Sequence, residues 1–133
     1  MSVAVWIDDE RPVPVDFEDM LAVGYDNVAH VKTSQEAIDY LAGMGEERPL
    51  IISFDHDLGY NYEDGSSAID GGVRDDNSRR VLDWMIEHDF WPTELITIHS
   101  MNPIGAKYLY DVAKRYAPPW IAVQRVRLDW KNG

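Results

Sequence analysis

Three short runs of ionisable and polar side chains stand out in this chain, and each follows an apolar segment. Asp8, Asp9 and Arg11 follow Val3–Ile7, Asp55, His56 and Asp57 follow Leu50–Phe54, and His99, Ser100 and Asn102 follow Leu95–Ile98. Brought together, Asp8, Asp9, Asp55 and Asp57 form a cluster of like charge that is costly on its own. A hard cation such as Mg²⁺ or Mn²⁺ relieves that cost, taking carboxylate and water oxygens as ligands. His56 and His99 offer a second chemistry, because two imidazoles flanking a phosphorus act as general base and general acid. The third is anion binding. Asn102 followed by Pro103 reads as a helix cap and a first helical position, and a helix amino end favours phosphate. Ser100 and Asn102 add donors there, Gly105 in the first turn lets a ligand approach, and Arg11 supplies a further clamp.

The elements that must position these residues alternate between strand and helix patterns, which predicts a parallel sheet with crossover helices. Strands are expected at Val3–Ile7, Val28–Val31, Leu50–Phe54, Leu95–Ile98 and Ile121–Leu128, the last alternating enough to be an edge. Between the first two, only a brief helix around Phe17–Val23 is expected. Thr33 with Glu36 forms a capping box for a helix whose buried face is Ala37, Ile38, Leu41 and Ala42. Another helix begins near Asn77 or Ser78, and a last one carries Leu109, Val112, Ala113 and Tyr116 as its core stripe before Pro118 and Pro119. Gly59 is expected to end the third strand's run. A polar segment over 59–76 then forms a long active-site loop. The whole is one domain over 1–133, an α/β, doubly wound, flavodoxin-like sheet of five parallel strands in the order 2-1-3-4-5. In that order strands one, three and four are neighbours, and ligands bind outside strand carboxyl ends. His30 and His88 are read as structural, and Trp6 as a border of the pocket.

Composition narrows the function. With 24 acids against 12 bases the net charge is −12, so a long nucleic-acid footprint, which runs on Lys and Arg, is disfavoured. Local basic groups, Arg79 and Arg80 among them, still suit a nucleotide or a nucleic-acid end. Cysteine is absent, which excludes a thiolate nucleophile or metal ligand. No apolar run approaches the roughly 18 residues needed to span a membrane. The chain enters a strand at once, without a signal-peptide pattern, so a soluble cytoplasmic protein is expected. Oligomeric state is not readable.

Asp8-Asp9, Asp55 and Ser100, each after its strand, resemble the receiver domain of response regulators. There the acidic pair holds Mg²⁺, the strand-three aspartate accepts a phosphoryl group and the strand-four hydroxyl senses it. Two features depart from that pattern. Arg125, Arg127 and then Asp129-Trp130-Lys131 stand where receivers carry lysine and proline, and His56 and His99 have no counterpart. A closer resemblance rests on three pieces together: Asp8-Asp9-x-Arg11, Asp55-His56-Asp57-Leu58-Gly59 and His99-Ser100-x-Asn102-Pro103-x-Gly105. It is to the cyclic-phosphate-processing receiver domains of bacteria and phages. That resemblance implies a phosphoesterase opening a cyclic phosphate on a nucleotide, an RNA end or an ADP-ribose derivative, in RNA repair or nucleotide metabolism. His56 and His99 would be the acid–base pair; Asp8, Asp9 and Asp55 would hold the cation or orient the histidines, with Asp57 a further ligand or an orienting carboxylate behind the ligands; and Arg11, Ser100, Asn102 and Gly105 would form the phosphate seat. The alternative is a non-catalytic, degenerate receiver that binds a phosphorylated ligand or a partner protein in signalling.

Overall fold

The computed structural model describes residues 2–21, 23–60 and 75–126. In chain order its elements are β1 (Val3–Ile7), α1 (Phe17–Leu21), β2 (Asn27–Val31), α2 (Ser34–Ala42), β3 (Ile51–Phe54), β4 (Asp57–Tyr60), β5 (Asp75–Asn77), α3 (Arg79–His88), β6 (Leu95–Ile98), α4 (Pro103–Tyr116) and β7 (Ala122–Arg125). The main sheet runs β2-β1-β3-β6-β7, all parallel. Counting its strands alone, this is the expected order 2-1-3-4-5. The β4–β5 pair is an addition that the sequence pattern did not predict. The run after β3 does not end at Gly59; it turns at Asp55–His56 and re-enters as β4, antiparallel to β5. Of the long loop expected over 59–76, residues 61–74 lie outside the described residues, as does the end of the fifth strand beyond residue 126.

β1, β3 and β6 are continuous apolar runs with buried residues on both faces, as central parallel strands require. One face carries Val5, Ile7, Ile52, Phe54, Ile96 and Ile98. Against it pack Ala37 and Leu41 of α2, Val81, Leu82 and Met85 of α3, and Leu109 and Ala113 of α4. The other face carries Ala4, Trp6, Ile51 and Leu95, covered by Phe17 and Leu21 of the short α1. Among the described residues the helices are therefore divided three to one between the faces. Trp6 and Phe17 meet edge to face at 5.1 Å and 81°, an arrangement worth roughly 0.5–1.5 kcal/mol beyond area burial. Two expected core positions lie outside the core: Ala42 is exposed and Tyr116 is half-exposed at the end of α4. Each stands at the last turn, where the apolar stripe runs past the sheet.

Helix ends follow the sequence signals. Thr33 Oγ1 accepts the Glu36 N–H at 3.0 Å, while the Glu36 carboxylate accepts the Lys32 N–H at 2.6 Å, one residue earlier than a standard capping box. α3 ends at Asp89, in the left-handed region with φ 52°, which a short polar side chain tolerates. α4 starts with Asn102 as cap and Pro103 inside it, and stops before Pro118. No helix among the described residues is long and apolar enough to cross a membrane.

Candidate active site at the carboxyl edge of the sheet

The three central strands each extend by one ladder bond past their ends. Asp8 N–H donates to Val31 O, Asp55 N–H to Ile7 O and His99 N–H to Phe54 O. Trp6, Ser53 and Thr97 stand in register across β1, β3 and β6. Side chains alternate along a strand, so Asp8, Asp55 and His99, two residues on, continue the same row. The sheet itself brings them together.

Behind Asp8 lies a buried relay. Thr97 Oγ1 donates to Ser53 Oγ at 2.5 Å, Ser53 Oγ meets His99 Nδ1 at 2.8 Å, and His99 Nε2 meets Asp8 Oδ2 at 3.0 Å. All four residues are at most 1% exposed, and the His99 ring lies flat on Trp6 at 3.9 Å. Because Asp8 Oδ2 needs a donor, Nε2 carries the imidazole proton and Nδ1 accepts from Ser53. Burial holds the His99 pKa below its ordinary value, against the pull of Asp8. Asp8 Oδ1 accepts the backbone N–H groups of Glu10 and Arg11, both at 2.8 Å. Burial pushes the Asp8 carboxyl up, but the bonds from His99, Arg11 and Glu10 outweigh it and leave the pKa lowered. His30 Nε2 meets the Asp8 carbonyl at 2.7 Å, and His88 stacks on Trp84, far along α3.

In front of this relay stand three carboxylates. One oxygen from each of Asp8, Asp9 and Asp55 lies within 4.8 Å of the other two. Burial, then the charge of Asp8, pushes Asp55 up to about 7, although Arg11 and a hydrogen bond with Ser100 pull the other way. Asp9 is raised by burial and by Glu10, with smaller contributions from Asp8 and Asp57. The donor set is all hard oxygen and the three carboxylates converge within 4.8 Å, so these residues fit Mg²⁺ or Mn²⁺. Arg11 sits beside them. Its carbonyl accepts Trp6 Nε1–H at 2.7 Å, and its buried Nη1 has no hydrogen-bond partner among the described residues.

Asp57 does not join the three. Its side chain is 63% exposed and turns back to His56 Nδ1 at 2.7 Å, while Asn102 Nδ2 reaches both its oxygens at 3.3 Å. His56, only 6% exposed, also accepts Arg79 Nε–H on Nε2 at 2.9 Å. The Arg79 guanidinium lies over the Tyr108 ring at 3.9 Å. Gly105 serves this group rather than a ligand: a Cβ there would collide with the His56 ring. Nor is the α4 amino end open. Asn102 N–H goes to Ser100 Oγ, Gly105 N–H to Asn102 Oδ1 and Ala106 N–H to Asn102 O. Pro103 has no N–H, so of this turn only Ile104 N–H is without an acceptor among the described residues.

The structure thus sorts the expected residues into two groups, joined through the Asn102 N–H to Ser100 Oγ bond. Asp8, Asp9, Asp55, Arg11, Ser100 and His99 form one; His56, Asp57, Asn102 and Gly105 form the other. The two histidines belong to different groups, and each has both ring nitrogens engaged. Trp6, expected to border the pocket, is buried beneath His99 at 1% exposure. Ser53, Thr97 and Ser78 escape the motif reading, as does Arg79. Ser53 and Thr97 were findable by counting back two residues from Asp55 and His99. Ser78, whose hydroxyl donates to the Asp55 carbonyl, carried no local signal for this role.

Five parallel strands in this order, with an acidic cluster at their carboxyl edge, define a receiver-type domain. A family profile described as the cyclic-phosphate processing receiver domain matches residues 3–115, and the chain belongs to that family. No curated protein and no solved structure matches it.

Proposed function

We propose that the domain hydrolyses a cyclic phosphate ester, on a nucleotide, an RNA end or an ADP-ribose derivative, at this carboxyl edge. The observation that carries the reading is the convergence of Asp8, Asp9 and Asp55 within 4.8 Å beside an arginine with an unspent buried donor. Anion and cation sites side by side suit a phosphate ester, and family membership points to a cyclic one. In the reaction a water oxygen bonds to phosphorus, one ring P–O bond breaks, and a proton from water ends on the departing oxygen. Asp8, Asp9 and Asp55 would hold the divalent cation, which when bound supplies charge neutralisation at the phosphoryl oxygens.

The chain's own residues do the rest. The Thr97–Ser53–His99 relay keeps Asp8 ionised and fixed in orientation. Arg11 and the Ile104 N–H bind phosphoryl oxygen, and Ser100 stands beside Asp55. Asp57 supports the site from outside, through His56 and Asn102. His99, sealed under the sheet edge with both nitrogens engaged, serves as a positioning residue in this reading; proton transfer by His56 requires that Arg79 first leave its Nε2.

The second reading, a non-catalytic receiver that binds a phosphorylated ligand or partner, is favoured by one observation: neither imidazole has a free nitrogen. Incubation with a panel of cyclic phosphates, 2′,3′-cyclic AMP and ADP-ribose cyclic phosphate included, separates the two. Phosphomonoester should appear in the ³¹P spectrum with Mg²⁺ or Mn²⁺ and vanish with EDTA and in Asp8→Asn. Silence across the panel in every condition would favour the binding module.

A further inference from the structure

The first turn of α3 carries two arginines, Arg79 and Arg80, and no acid. Cations at a helix amino end oppose the helix dipole, so both need a reason. Arg80 has a structural one: its Nη1 donates to Ser34 Oγ at 2.8 Å and its Nη2 to Gln35 Oε1 at 3.0 Å, tying α3 to α2. Arg79 has none of that kind. In a chain with 24 acids, its side chain makes no ion pair with a carboxylate among the described residues. Its Nε–H is spent on a neutral acceptor, His56 Nε2.

The acceptor is itself fixed on every side. Because Nε2 accepts, the His56 proton is on Nδ1 and points to Asp57 Oδ1. Asp57 is tethered by Asn102, the ring is packed on Gly105, and Tyr108 supports the guanidinium face. Asp57, His56 and Tyr108 therefore hold one edge and one face of the guanidinium, and leave its Nη1/Nη2 fork without an acceptor among the described residues. A planar fork held this way is the geometry that binds phosphate through two parallel hydrogen bonds. α3 enters beside Asp55, since Ser78 N–H donates to His56 O and its hydroxyl to Asp55 O.

We infer that Arg79 is a phosphate-binding residue of this site, and that His56, oriented by Asp57, is its positioning residue rather than a proton carrier. This rests on the cyclic-phosphate reading for the identity of the ligand but not for the clamp itself, which any phosphoryl oxygens would engage. It differs from the resemblance-based expectation in giving His56 a structural task toward an arginine that no motif marks.

The test pairs two readouts, inorganic phosphate binding by calorimetry and turnover of 2′,3′-cyclic AMP with Mg²⁺. Arg79→Ala should weaken phosphate binding and raise KM by about tenfold or more, and Arg79→Lys, which keeps charge but loses the fork, should fall between. His56→Phe should reproduce the Arg79→Ala defect, and His56→Gln, whose amide oxygen can accept Arg79 Nε–H, should rescue it. Wild-type phosphate affinity in both Arg79 variants overturns the clamp. A His56→Gln protein with intact phosphate binding and lost turnover overturns the positioning role and returns proton transfer to His56. Phosphate binding that depends on Arg79 in a protein that never opens the ring supports the clamp and sinks the hydrolase reading instead.

Discussion

At the scale of single residues, the site shows one side-chain type set to two states by its surroundings. Asp8 and Asp55 are neighbours on adjacent strands, yet Asp8 is stabilised as a carboxylate by three donors while burial and Asp8 push Asp55 up to about 7. The two shifts have opposite consequences for stability. A carboxyl with a raised folded pKa binds more protons folded than unfolded, so its contribution is in place below 3.8 and is lost as pH rises through about 7. The Asp8 contribution runs the other way, present above 3.8 and lost as pH falls through its lowered folded value. Comparing wild type with Asp55→Asn in chelator isolates the first effect. Thermal unfolding should show wild type losing stability relative to Asp55→Asn between pH 3.8 and about 7, with Mg²⁺ restoring it. A difference that is flat or rises over that window contradicts the assignment.

At the scale of elements, the return of the chain from β5 is anchored by one carboxylate. Asp76 accepts the Ser34 N–H at 2.7 Å and the Ser34 hydroxyl at 2.6 Å, so β5 caps the amino end of α2 from outside. Ser34 is 1% exposed, and losing both acceptor oxygens strands its backbone donor. Asp76→Ala should cost about 1–2 kcal/mol in chemical denaturation; a change under about 0.5 kcal/mol would show that the anchor is dispensable. This anchor was not legible in the sequence, because Ser34 and Asp76 are far apart and neither lies in a patterned run. What was legible had local causes. Short apolar runs gave β1, β3 and β6, Thr33 and Asn102 gave the helix starts, and acids at strand ends gave the acidic cluster. Long-range pairing was not. The sequence shows that His56 and His99 follow strands, but the Arg79 partner of His56 is set by how α3 packs. Asp57 illustrates the same limit: alternation places it beside Asp55, but the turn into β4 swings it out to His56 and Asn102.

At the scale of the whole molecule, the sheet acts as a frame that fixes three strand ends in register and gathers charge at one edge. The net charge of −12 is spread over the chain, where separated and solvated acids cost little. Yet the carboxyl edge is where acids are buried and crowded instead of solvated. Among the described residues Arg11 keeps a buried donor without a partner beside that crowding, and Arg79 is held on His56, the residue next to Asp55 in the chain. A receiver fold ordinarily reads as a signalling module, and fold alone does not decide function. Here the decision rests on what the edge binds.

The proposed hydrolysis depends on Asp8, Asp9 and Asp55 forming a divalent-cation site. Manganese binding followed by electron paramagnetic resonance measures it directly. One Mn²⁺ per chain should bind to wild type, be displaced by Mg²⁺, and bind about tenfold or more weakly to Asp55→Asn. Wild type that leaves all Mn²⁺ free in solution, or an Asp55→Asn protein that binds it equally well, would contradict the account.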